Sequence, residues 1–111
     1  MHLRFEKNQL RIRVLQNEAS LLLDHKNLTE YFPFSSSADP IQLHVEICEA
    51  NFSFVVKGSI LKLEVPRQLL QKKIQTSGRD PVCTLITNLN GVSTEIVFEV
   101  DVFKKKDDAK K

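Results

Sequence analysis

Arg4, Arg11 and Arg13 are the residues whose type and spacing most readily do chemistry in this 111-residue chain. Each stands between apolar neighbours, in the runs Leu3-Arg4-Phe5 and Leu10-Arg11-Ile12-Arg13-Val14. Period-two alternation places all three on the outer face of two adjacent strands. A guanidinium offers a planar fork of donors to phosphate, carboxylate or RNA backbone, so the trio forms a candidate anion- or partner-binding patch. Like charges on one sheet face also repel one another. The competing reading is pairing within the chain, because Glu46, Glu95, Glu99 and Asp101 share the outward parity. Internal pairing relieves the repulsion without any ligand, and the weight falls on it.

Other chemistry-bearing groups assemble into less. His44, Glu46 and Cys48 occupy alternate positions of one strand, roughly 6.5–7 Å apart, and a metal would need further ligands from elsewhere. No metal and no cofactor is expected. Asp24-His25 has the form of an acid–base pair but falls at a helix end, where a cationic His complements the dipole. Ser35-Ser36-Ser37 lacks a nucleophile-elbow context. Gly58, Gly78 and Gly91 each stand in a separate turn, so there is no phosphate-cradling loop. Glu99 and Asp101 on one strand face read as ion-pair partners. Nucleophile, base and oxyanion donors do not come together, so no catalytic residue is named and the chain is read as not an enzyme. Phe5, Phe32, Phe34, Phe54 and Phe98 mostly carry inward parity, whereas sheets that read RNA display exposed rings.

The elements that position these residues follow from the same periodicities. Leu3–Phe5 and Leu10–Val14 form a hairpin around Lys7-Asn8-Gln9. Leu15, Ala19, Leu22 and Leu23 make a helical stripe ending near His25-Lys26-Asn27. A strand over Leu28–Phe34, a loop over Ser35–Pro40 and a strand over Ile41–Cys48 complete one ββαββ unit. The order repeats. Phe54 and Val56 lead through Lys57-Gly58-Ser59 to Leu61, Leu63 and Val65. Pro66 opens a helix whose apolar side is Leu69, Leu70 and Ile74, ended by Thr76-Ser77-Gly78. Strands over Val82–Thr87 and Thr94–Val102 flank a turn at Asn88–Gly91. A single gapless offset of 51 matches Leu3 to Phe54, Ile12 to Leu63, Phe32 to Cys83 and Ile47 to Phe98. The fold expected is α+β: one domain over 1–103, built from halves of about 1–51 and 52–102 related by a pseudo-twofold, with mainly antiparallel sheet packed on two helices. A lone unit of about 50 residues would be marginal, so the halves should share one core.

The opening residues resemble a family of short bacterial proteins defined only as a domain of unknown function. Its members begin Met-Lys-[Ile/Leu]-Arg-[Ile/Phe]-x-x-Asn-Ser-[Ile/Leu]-Arg-[Ile/Leu]-Arg-[Leu/Val]-x-x-x-Glu. Here the stretch is Met1-His2-Leu3-Arg4-Phe5-Glu6-Lys7-Asn8-Gln9-Leu10-Arg11-Ile12-Arg13-Val14, followed by Glu18. The family's closing strand, with Glu-x-Asp and a Phe, is similar to Glu99-Val100-Asp101-Val102-Phe103. The likeness covers residues 3–18 and that last strand. His2, Gln9 and Leu15 depart from it; the family has Ser or Thr at Leu15, where a hydroxyl would cap the helix with Glu18 as box partner. The resemblance implies a bacterial origin and carries no activity.

Charge is unevenly placed. The formal net charge is +2, yet residues 104–111 hold five Lys and two Asp, which leaves the preceding 103 residues at −1. A near-neutral body argues against nucleic acid as the main partner, and the Lys-rich end reads as a disordered, solubilising tail. No apolar run approaches the roughly 20 residues needed to cross a bilayer. The N-terminus lacks the apolar core of a signal peptide, and Cys48 and Cys83 form no CxxC pair. A cytosolic protein with buried free thiols is expected. The leading reading is a non-catalytic binding or interaction module, with a protein partner or self-association through sheet edges. Nucleic-acid or anion binding through the arginine hairpin and Lys tail is the runner-up. A small enzyme using Asp24, His25 or the serine loop comes third.

Overall fold

The alternating segments fold as strands, and the two helical stripes fold as helices. In the computed structural model, which describes residues 1–33, 40–75 and 81–101, the order is β1 (His2–Glu6), β2 (Gln9–Val14), α1 (Gln16–His25), β3 (Asn27–Phe32) and β4 (Ile41–Cys48). It continues with β5 (Ser53–Lys57), β6 (Ile60–Pro66), α2 (Arg67–Gln75), β7 (Cys83–Leu89) and β8 (Val92–Val100). The fold is α+β, with two helices and two four-stranded sheets among the described residues. Phe34, the Ser35–Ser37 loop, Gly78 and the tail lie outside the described residues, as does the expected end of the last strand at Val102.

Local chemistry sets the element ends. Glu18 Oε1 accepts the Leu15 N–H at 2.9 Å, which ties the entry to α1 although Leu15 has no polar side chain to return the bond. Lys26 closes that helix in the left-handed conformation (φ 72°), donating its N–H to the Leu22 carbonyl at 2.7 Å. Pro66 is the last residue of β6 rather than the first of α2. Asn90 and Gly91, with φ of 51° and 81°, form the two-residue turn of the β7–β8 hairpin. Positive φ at both central positions is the type I′ pattern that Asn-Gly favours. The expected turn over Asn88–Gly91 therefore shrinks to two residues, and β7 extends to Leu89.

The sheets interleave the two halves of the chain. Each sheet takes one hairpin from each half. The first sheet runs β1-β2-β8-β7 and the second β3-β4-β6-β5. The central pairs β2–β8 and β4–β6 are parallel, and all outer pairs are antiparallel. The single gapless offset of 51 does not hold throughout. It relates the β1–β2 and β5–β6 pairings, but Leu10 pairs with Ile96 whereas Leu61 pairs with Leu43. The offset would have demanded Val45 there, so the last strands are displaced by two residues. An even displacement keeps every inward side chain inward, and so alternation alone does not reveal it.

The inward faces meet in one core. Leu10, Ile12 and Val14 from β2, Leu43 and Val45 from β4, Leu61, Leu63 and Val65 from β6, and Ile96 and Phe98 from β8 join Ala19 and Leu22 of α1 and Leu70 of α2. Burying each such side chain contributes roughly 1.5–3 kcal/mol, which favours the pairing that closes both sheets on one interior.

Candidate functional site

The outer face of the first sheet carries the three arginines. Arg4 stands directly across from Arg11 on β1 and β2, and Arg13 stands beside Glu99 of β8 in the parallel register. The Glu99 carboxylate lies between two guanidiniums. Oε1 accepts Arg11 Nη1 at 2.9 Å, and Oε2 accepts Arg13 Nε and Nη2 at 3.0 Å each. The line continues the other way: Arg11 Nη2 donates to Gln9 Oε1 at 3.2 Å, and Gln9 Nε2 donates to Glu95 Oε1 at 2.9 Å. Two guanidiniums and two carboxylates thus form one continuous hydrogen-bonded row across β2 and β8.

Burial shows how tightly the row is seated. Glu99 is 7% exposed and its outward neighbour Val97 is 3% exposed, although both lie on the solvent side of the sheet. Val97 is flanked in register by Arg11 and Thr84, and long guanidinium stems shield apolar surface in this way. Arg4 is the most exposed of the three, with a 3.3 Å contact to Glu6 on the surface. A depression of about 580 Å³ lies beside the row, with His2, Arg4, Arg11, Arg13 and Asp101 around it.

The remaining sequence-derived groups separate. On the outer face of the second sheet, His44 Nδ1 meets Thr29 Oγ1 at 3.2 Å and its Nε2 meets Gln42 Oε1 at 3.1 Å. Glu46 faces Lys62 at 3.6 Å. Among the described residues no three His, Cys, Asp or Glu side chains come together as ligands. Asp24 and His25 are both exposed at the end of α1. Cys48 and Cys83 are half-buried rather than fully buried. Burial, with the nearby Cys48 adding to it, pushes the Cys83 thiol up to about 12. A cleft of about 710 Å³ opens between the sheets at their hairpin ends; Phe5, Ile41, Phe54, Val56 and Leu89 line it, and no titratable side chain among the described residues does.

One polar centre was not legible in the sequence. The Met1 ammonium donates to Glu18 Oε2 at 2.7 Å and to Glu30 Oε1 at 2.9 Å. Burial pushes its pKa down, but the hydrogen bonds and charges of Glu18 and Glu30 outweigh that and leave it raised above 8.0. Glu30 takes an inward position between Leu28 and Phe32 on β3, a break in alternation that signals an internal partner.

Among the described residues no helix is long and apolar enough to cross a membrane. No protein-family profile, curated protein or solved structure matches this chain.

Proposed function

We propose that this chain is a non-catalytic binding and interaction module of the bacterial cytosol that engages protein partners through its sheet edges. The observation that carries the reading is that, among the described residues, each sheet ends in two strands paired on one side only, β1 and β7 in one, β3 and β5 in the other. An open edge presents free N–H and C=O groups to an incoming strand. The arginine row supports the same reading from the other side, because Arg11 and Arg13 have a carboxylate partner, Glu99, within the chain. The two halves are read as duplicated ββαββ units about a pseudo-twofold, each lending one hairpin to each sheet.

Anion or nucleic-acid binding is the second reading, favoured by the depression beside Arg4, Arg11 and Arg13. Heparin chromatography at low salt separates the two. Passage of the wild-type chain in the flow-through is the expected result. Salt-sensitive retention that disappears in an Arg4→Ala/Arg11→Ala/Arg13→Ala variant would overturn the edge reading in favour of the anion site.

A further inference from the structure

We infer that β7 is a self-pairing edge: a second copy of this chain adds its own β7 antiparallel to it, joining two four-stranded sheets into one of eight. The inference rests on the edge reading above and names its partner. Edge strands are ordinarily blunted by brevity, charge or Pro, because their free backbone groups template association. Among the described residues, three of the four sheet edges are blunted. β1 is five residues long and carries Arg4 and Glu6; β3 carries Glu30 and is followed by Pro33; β5 is five residues long and ends on Lys57. β7 runs for seven residues, Cys-Thr-Leu-Ile-Thr-Asn-Leu, without a charge, Gly or Pro. That composition drives strand association when left open. At its centre, on the outer face, Ile86 is 72% exposed, more than any other large apolar side chain among the described residues.

The charge pattern selects a second copy as the occupant. Antiparallel pairing centred on Ile86 sets Ile86 against its own copy, Thr84 against Asn88, Leu85 against Thr87 and Cys83 against Leu89. Apolar meets apolar at the centre of the outer row, polar meets polar beside it, and no charge opposes another. A twofold contact requires such self-complementarity. The same operation on β1, centred on Arg4, sets one guanidinium against another, which is destabilising. A single strand pair buries less than a standard interface of about 1,200–2,000 Å², so the expected dimer is weak and forms at high micromolar concentration.

Sedimentation equilibrium from about 1 µM to 1 mM tests this across the range where such affinities lie. The wild-type mass should rise from 12.7 kDa toward twice that value. Ile86→Lys, at an exposed position, should keep the circular dichroism spectrum and melting temperature. It should weaken association about tenfold or more by placing like charges directly opposite. Val55→Lys, on the β5 edge, should leave association unchanged. A chain that stays monomeric to 1 mM overturns the self-pairing, as does a dimer that survives Ile86→Lys or is lost in Val55→Lys instead. Those failures touch the identity of the partner; the edge reading itself fails by heparin retention, a separate measurement.

Discussion

Replacing Glu99 with Gln isolates the arginine row from the rest of the fold. The amide keeps the shape of the side chain but removes the charge that three N–H groups share at 2.9–3.0 Å. One guanidinium can still find the amide oxygen, while the other meets an NH₂ group and is left beside a like charge. Hydrogen bonds to charged groups are worth about 1.5–3 kcal/mol each when buried. The Glu99 side chain is 9% exposed, but those of Arg11 and Arg13 are 29% and 40% exposed, so the guanidiniums recover water when the carboxylate is lost. That solvation scales the loss down to about 2 kcal/mol for the whole change, still above the 0–1 kcal/mol typical of an exposed pair. For a domain of this size the melting temperature should fall by roughly 8 °C. Urea unfolding measures it directly, with a lower midpoint and an unchanged slope. Arg13→Ala in the wild-type and Glu99→Gln backgrounds should show a coupling of about 1 kcal/mol. Heparin retention should rise in Glu99→Gln as the guanidiniums come free. A loss below about 0.5 kcal/mol would refute the argument that this carboxylate holds the two arginines.

The Met1 ammonium contributes stability that is fully present below pH 8.0 and is lost as pH rises through its higher folded value, because its pKa is raised in the folded chain. Urea midpoints between pH 7 and 10 should show that decline, and Glu18→Gln/Glu30→Gln should flatten it. Phe98→Ala, at a fully buried position, should cost about 3–5 kcal/mol, read from urea unfolding or from outright failure to fold. Gly91→Ala, at φ 81°, should cost about 1 kcal/mol through strain alone, since nothing lies within 4 Å of the added methyl. Cys83, with its thiol held up at about 12, should resist iodoacetamide at pH 8 in the folded chain and react in urea, as read by peptide mass spectrometry.

Sequence alternation on its own determined which side chains point inward and which outward. Leu10, Ile12 and Val14 are buried and Arg11 and Arg13 lie on the outer face because a strand repeats every two residues whatever it pairs with. β4 occupies Ile41–Cys48 as the pattern required, and the Asn90-Gly91 turn needs only its own positive φ. Tertiary structure decided which strands become neighbours. Alternation is the same for any partner, so it did not distinguish a hairpin that stays within its half from one that pairs across the chain. It was equally blind to a slip of two residues, which preserves parity. The choice of Glu99 over Glu46, Glu95 and Asp101 as partner of Arg11 and Arg13 follows from that pairing, because β2 and β8 lie side by side only after the hairpins exchange. Glu46 ends on the other sheet facing Lys62, and Glu95 faces Gln9. The same assembly brings Met1 to Glu18 and Glu30, and leaves the uncharged β7 at the rim of its sheet. Local periodicity carries no information about contacts between residues 80 or more positions apart; those are set by which arrangement buries both apolar faces in one core.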